Sequence, residues 1–398
     1  MKWFCRFGLL LALCASCSSL SRDNTPYQDR VAAQQRQRAA EFMNARDYAA
    51  AAATLDSLVV LKPADSDLFE MLGDARRAQR QFDPAVKAYE QAIRLNYGAY
   101  SPHMKLGTLL MENGKTGRAL TEFELAVKAS DRDVLARYNY GVALWETDRH
   151  DEALAQWSIA SELDPLDVRV AEALAMGHAA DADTTAVGYF EHARKLGAKS
   201  APFLNNYGLL LDRLGRSDEA AEYFMTAIEK APGRDEYVRN YAVNLLRRGH
   251  TSDAAGMFAD LVARDGGKWS DTVYLARAKL ALERYDDAIA ALEPLALDVE
   301  SGKIPKTSAR IDRMPPTLAE ALDILGMCRR GLGDKKAAAD YLRRAVALEP
   351  DDVSHLNNYG VVLAEFGMLP EARKQWRRVL EIEPQNATAK ANLSAFGR

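Results

Sequence analysis

The pentapeptide LNNYG occupies residues 204–208 and returns at residues 356–360, 152 positions later. Its surroundings agree as well: LNNYGLLLDRLGRSDEAAEYF (204–224) and LNNYGVVLAEFGMLPEARKQW (356–376) share apolar, small and polar positions almost throughout. Self-similarity of this kind signals a repeated structural unit. Counting 34-residue windows back from proline-containing segment ends sets the frame, with windows starting at residues 32, 66, 100, 134, 167, 201, 235, 269, 319 and 353.

The twentieth position of all ten windows is alanine: Ala51, Ala85, Ala119, Ala153, Ala186, Ala220, Ala254, Ala288, Ala338 and Ala372. The eighth position is also small, with Gly73, Gly107, Gly141, Gly208, Gly326 and Gly360, and with Ala39, Ala242 and Ala276 elsewhere. Small residues recurring in step predict two antiparallel helices that cross closely, nearly backbone to backbone. Larger residues then fill the flanks, such as Leu72, Tyr140, Tyr207 and Tyr359 on the first helix. Tyr89, Phe123, Trp157, Phe224, Phe258 and Trp376 do the same on the second. Gly114, Gly215, Gly249, Gly333 and Gly367 stand where the first helix must stop in a left-handed cap. Pro63, Pro165, Pro232, Pro350 and Pro384 close the second.

This pattern resembles the tetratricopeptide repeat (TPR) family over residues 32–386, most closely in repeats 4, 6 and 10. Repeat 5 is one residue short, and repeat 8 lacks its closing proline. The resemblance implies an all-α, superhelical TPR solenoid of about ten helix-turn-helix repeats. Four windows account for 136 of the 152 positions between the two pentapeptides; the other 16 are an insertion, KIPKTSARIDRMPPTL (303–318), with a net charge of +3. A segment this long inside an array is either functional or simply tolerated. The expected organisation is repeats 1–8 over 32–302, repeats 9–10 over 319–386, and a capping helix over 387–398.

The N-terminal stretch differs from the rest. MKWFCRFGLLLALCASC (1–17) starts with Lys2 and Arg6, runs apolar from Phe7 to Cys14 and ends in small residues. That is a secretory signal pattern, too short to span a bilayer as a permanent helix. CASC resembles a bacterial lipoprotein cleavage box, although Cys14 stands where leucine is usual. The resemblance implies a signal peptide over 1–16, a lipidated Cys17, a polar tether over 17–31 and, with Ser18 following, the outer membrane. Cleavage would remove Lys2 and Arg6 and lower the net charge of −4 by two, to −6. Cys17 and Cys328 would be the cysteines left, with no internal disulfide expected. The 52 basic and 56 acidic residues are mixed along the chain, which argues against a nucleic-acid partner.

No constellation of catalytic groups emerges, so no enzyme activity, cofactor, metal or small-molecule substrate is expected. NGKTG (113–117) lacks the glycine a phosphate loop needs, since Leu109 stands there, and it falls on the turn of repeat 3. The six histidines show no metal-ligand spacing. Asp286 and Asp287 open a second helix, where they complement its dipole.

In TPR proteins the first helices line a concave surface, and their outward positions meet the partner. Asn139, Asn206, Asn240 and Asn358 share the sixth position, each offering a donor and an acceptor to an extended peptide. The competing reading is that they bond to their own neighbours. Met104, Met111, Tyr138, Trp145 and Met176, with Val142, form an apolar stretch in repeats 3–5. It suits an adaptable partner-binding patch or, equally, packing between adjacent helices. The charged clamp of chaperone-binding TPR domains is not matched, because Leu209 and Ser270 stand where it needs polar or basic groups.

The expectation is a non-enzymatic scaffold for other proteins or extended peptide segments, held at the periplasmic face of the bacterial outer membrane through its lipid alone. It resembles TPR lipoproteins that assemble secretion channels: pilotins of type IV pili, tight-adherence pilus lipoproteins and exopolysaccharide-export scaffolds. The alternatives are an adaptor for peptidoglycan-remodelling enzymes or, without acylation of Cys17, a soluble periplasmic chaperone.

Overall fold

The computed structural model describes residues 25–179, 184–264, 268–301 and 317–396. The expected leader, Cys17 and most of the 303–318 insertion lie outside them. The described residues form twenty-one helices and no strand. Repeat 1 is α1 (Thr25–Asn44) with α2 (Tyr48–Leu61), and repeat 2 is α3 (Ser66–Ala78) with α4 (Phe82–Leu95). Repeat 3 is α5 (Tyr100–Glu112) with α6 (Thr116–Ala129), and repeat 4 is α7 (Val134–Trp145) with α8 (His150–Leu163). Repeat 5 is α9 (Val168–His178) with α10 (Thr184–Lys195), and repeat 6 is α11 (Ala201–Arg213) with α12 (Ser217–Lys230). Repeat 7 is α13 (Asp235–Arg247) with α14 (Thr251–Ala263), and repeat 8 is α15 (Trp269–Ala281) with α16 (Tyr285–Glu300). Repeat 9 is α17 (Leu318–Gly331) with α18 (Lys335–Leu348), and repeat 10 is α19 (Val353–Glu365) with α20 (Leu369–Ile382). Helix α21 (Ala387–Ala395) packs on α20 and α19, at the place expected for a cap.

The window frame holds to within a residue for every first helix except α1. That helix begins at Thr25, so residues 25–31, expected to be tether, are helical. Helix starts are set locally: Asp47, Asp65, Asp133, Ser200, Thr317, Asp334, Asp352 and Asn386 each accept a backbone N–H from the first turn.

The described residues divide into two compact units, one within 25–178 and 189–198, the other within 179–188 and 199–396. Consecutive helices pack on one another from α1 to α9 and from α11 to α21, and several first helices also touch the first helix of the next repeat: α5 with α7, α11 with α13, α13 with α15, α15 with α17, and α17 with α19. In the second unit α16 packs on α17, so the stacking of repeats continues on either side of the insertion. One core there runs from Val273 and Leu292 to Leu325, Cys328 and Ala345.

All ten alanines of the twentieth position are fully buried. The small eighth position has a different role from the expected one. In five repeats it makes room for a ring rather than for a bare backbone, whereas Gly326 faces Leu342 and the Ala338 carbonyl. A Cβ added to Gly73 would lie 2.5 Å from Tyr89 Cε1, one at Gly107 2.7 Å from Phe123 Cε1, and one at Gly208 2.8 Å from Phe224 Cε1. Trp157 lies on Gly141 and Trp376 on Gly360 in the same way. Both indoles then reach a carbonyl of the first helix: Trp157 Nε1 donates to Tyr138 O at 3.1 Å, and Trp376 Nε1 to Asn357 O at 3.4 Å.

The turn residue between the two helices is left-handed in nine repeats. It is glycine at Gly114, Gly215, Gly249, Gly333 and Gly367, but Arg46, Arg80, Asp148 and Glu283 hold the same conformation at φ 60°. The turn geometry is therefore imposed by the packing of the pair, since an L side chain is strained there by roughly 1–2 kcal/mol.

Two substitutions separate these constraints. Gly208→Ala drives a methyl group into the Phe224 ring and should cost about 1–3 kcal/mol. Glu283→Gly relieves a strained turn and should raise stability by under about 1 kcal/mol, after the entropy gained by the unfolded chain. Urea-denaturation midpoints measure both, and a Gly208→Ala midpoint equal to wild type would contradict the ring-on-glycine account.

Candidate functional site

The first helices present their fifth and sixth positions to the neighbouring repeat, and a recurring rung forms there. In the first unit Lys105 Nζ lies 2.7 Å from Glu70 Oε1. In the second, Asn240 Nδ2 donates to Asn205 Oδ1 at 2.9 Å, and Asn358 Nδ2 to the Asp323 carboxylate at 2.9 and 3.1 Å. Each rung joins position 6 of one repeat to position 5 of the repeat before. A second row follows one helical stretch later, pairing position 12 with position 13 of the next repeat: Arg77 with Glu112, Asp212 with Arg247, and Arg330 with Glu365. The Arg330 guanidinium holds the Glu365 carboxyl below its usual range. Lys105 is raised: burial pulls its pKa down, but the hydrogen bonds it donates to Asp74 and Glu70 more than compensate.

This geometry divides the four asparagines of the sixth position. Asn240 and Asn358 use their NH2 groups as rungs, and Asn240 is only 7 % exposed, so neither has its donor available as expected. The reason is the acceptor 35 residues earlier, Asn205 or Asp323. Asn139 has Met104 at that distance and Asn206 has Ala171, neither of which accepts. Both side chains are half-buried and make no hydrogen bond among the described residues.

The apolar stretch is also corrected in part. Met104 is 7 % exposed and belongs to the core with Leu106, Leu110 and Phe123, so it has almost no surface to offer. Met111 packs against the same core. Trp145, at the end of α7, stacks on His150 at 4.2 Å and on Trp157 at 5.6 Å, which turns it toward the second helix. Tyr138 stays half-buried, with the Arg169 guanidinium 5.6 Å from its ring centre. Met176 is half-buried on α9. In the first unit the surface left is Asn139, Tyr138 with Arg169, and Met176. In the second it is Asn206.

Beside Asn240 lies a polar network absent from the sequence reading. Asp212 accepts from Asn244 Nδ2 at 2.9 Å and from Ser217 Oγ at 2.6 Å, and pairs with Arg247. The Arg239–Asp271 ion pair is almost fully buried between α13 and α15. Such a pair fixes register more reliably than it adds stability. The signal was present in the sequence as complementary residues about one repeat apart, such as Glu70/Lys105, Arg77/Glu112 and Arg330/Glu365.

The groups that invited catalytic readings have structural roles. Gly114, in NGKTG, is the left-handed turn residue at φ 70°, and Lys115 lies over the Phe82 ring. Burial pushes the Cys328 thiol up to about 12, which makes it a poor nucleophile. Asp286 and Asp287 occupy the first turn of α16. His103 is buried, with Nδ1 2.7 Å from Glu122 Oε2 and Nε2 2.9 Å from the Tyr97 carbonyl.

Two tetratricopeptide repeat family profiles match the chain, one at residues 36–99, 70–130, 104–167 and 325–387, the other at 201–233. Together they span more than half of it, and the chain belongs to the tetratricopeptide repeat family. Solved structures with the same kind of fold include PilF of Pseudomonas aeruginosa, 17 % identical with a TM-score of 0.46, matched over 53 % of this chain and 96 % of PilF. YrrB, a TPR protein with an unusual peptide-binding site, is 19 % identical with a TM-score of 0.39 over 45 % of this chain and 93 % of its own. The TPR domain of P58(IPK) is 13 % identical with a TM-score of 0.39 over 92 % and 97 %. No curated protein matches. TPR domains are protein-interaction scaffolds and generally lack enzymatic activity.

The buried His103 gives a pH dependence. Burial draws its pKa down, but the bonds to Glu122 and the Tyr97 carbonyl outweigh that and leave it raised. The folded value thus exceeds the unfolded one of about 6.5, so the stabilisation is complete below about pH 6.5 and is lost as pH rises through the folded value. The denaturation midpoint should fall over that window, and His103→Gln should flatten the fall. An unchanged slope in the variant would show that the imidazolium makes no contribution.

Proposed function

We propose that the chain is a lipid-anchored scaffold that binds extended segments of other proteins along its first helices. The carrying observation is the pair of half-buried carboxamides, Asn139 and Asn206, which have no partner among the described residues. An amide of this kind complements a peptide bond with one donor and one acceptor. In the first unit Tyr138, the sequence neighbour of Asn139, and Met176 add half-buried apolar surface. The ion pairs of these faces are largely internal, so recognition is weakly salt-dependent.

The anchor is read from CASC (14–17): Cys17 is acylated and Ser18 directs the protein to the outer membrane, facing the periplasm. There it assists assembly of a secretion, pilus or polysaccharide-export machine. Stable anchoring needs two or more acyl chains, as a lipoprotein cysteine would supply.

Labelling cells with a radioactive fatty acid should mark the wild-type protein and leave Cys17→Ala unmarked; equal labelling would remove the anchor. Independently, an Asn139→Ala/Asn206→Ala chain should recover its crosslinked partner segments at a tenth of the wild-type yield or less, with an unchanged denaturation midpoint. Undiminished recovery would remove the asparagines from the binding face.

A further inference from the structure

The joint between repeats 9 and 10 has an imbalance of charge that the equivalent joint of repeats 1 and 2 lacks. Between repeats 1 and 2, position 5 is Arg36, which meets the helix-capping Asp65 at 3.3 Å and Asp67 at 3.2 Å. Between repeats 9 and 10, position 5 is Asp323 and the capping residue is Asp352, so both positions carry a carboxylate where the first joint has an ion pair. Glu349, at the end of α18, adds a third. No lysine or arginine among the described residues pairs with any of the three. Arg277 is only close enough for Asp323 to feel its field.

His355 is the group they surround. It is 5 % exposed, and its Nδ1 is buried without a hydrogen-bond partner. Nδ1 lies 3.3 Å from Asp323 Oδ1 and 3.6 Å from Asp352 Oδ1, and Nε2 lies 3.5 Å from Glu349 Oε2. These are long for hydrogen bonds. The 3.5 Å between Nε2 and Glu349 Oε2 is instead what two ligands on one tetrahedral ion keep, since bonds of about 2.1 Å give an edge of about 3.4 Å. One ligand atom from each of Glu349, Asp352 and His355 falls within 4.8 Å of the others.

We propose that Glu349, Asp352 and His355 form a binding site for a divalent transition-metal ion of the zinc type. His355 ligates through Nε2, and its Nδ1–H is turned toward Asp323, which orients the ring, the usual outer-shell arrangement. Asn358 in turn holds Asp323 through two hydrogen bonds, at 2.9 and 3.1 Å. One nitrogen and two oxygens suit zinc better than calcium or magnesium, which favour all-oxygen sets. The ion ties α18 to α19 and leaves a coordination position for water or a partner's side chain. Its affinity falls with pH, because the imidazole must be neutral to bind.

Calorimetric titration of zinc chloride into the full chain, stripped with a chelator and free of any histidine tag, tests the site. The expected result is saturable binding of one ion per chain, weakened at least tenfold in Glu349→Gln and in His355→Gln. Asp323→Asn should weaken it about 10–100-fold as a positioning residue. Glu349 is partly exposed, so its variant remains informative if His355→Gln fails to fold. No saturable binding up to about 100 μM free zinc, far above the range of structural sites, would overturn the proposal. One-to-one binding that persists unchanged in both ligand variants would overturn it too, since the ion would lie elsewhere.

Discussion

A ring packed on a glycine is the contact that sets the helix pair in half of the repeats. In repeats 2, 3, 4, 6 and 10 the second helix sends Tyr89, Phe123, Trp157, Phe224 or Trp376 onto a first-helix residue with no Cβ. The ring packs against backbone, and the two helices settle at one depth and one rotation. In repeats 4 and 10 the indole N–H is thereby brought to a backbone carbonyl, a bond that a side chain at Gly141 or Gly360 would prevent. The left-handed turn does not need this contact: Arg46 and Glu283 take positive φ in repeats 1 and 8, where Ala39 and Ala276 stand in place of the glycine.

Packing inside a repeat leaves the relation between repeats to be set by other means. The buried alanines let helices come close, but an apolar contact tolerates sliding and rotation. The rungs at positions 5/6 and 12/13 are directional, so they select one register between successive first helices. Partly exposed pairs such as Arg77–Glu112 contribute about 1 kcal/mol or less each. Their effect is therefore on geometry more than on stability. Arg239–Asp271 is the buried extreme of the same device.

This distinction explains what the sequence made legible. Gly208, Ala220 and Gly215 each answer one local demand: space under a ring, space at a crossing, and positive φ. A demand of that kind restricts the residue type, so it can be read by counting. The roles of Asn139 and Asn240 could not be read from their shared position, because they depend on whether Met104 or Asn205 stands 35 residues earlier. Met104 misled for a related reason: a helix residue facing the next repeat has the same pattern as one facing a partner. The start of α1 was missed because residues 25–31 are polar and lack the small-residue markers.

The same logic shows where the chain departs from its own scheme. Position 5 joints are closed by opposite charges, amides or apolar contacts, each of which satisfies itself. The Asp323–Asp352–Glu349 grouping around His355 does not: one imidazolium would face three carboxylates at distances too long for good hydrogen bonds. Mutual repulsion among carboxylates is unfavourable wherever solvent cannot screen it, and the nearly buried ring leaves little room for water. A divalent ion held by Glu349, Asp352 and His355, with Asp323 behind the ring, supplies the missing positive charge.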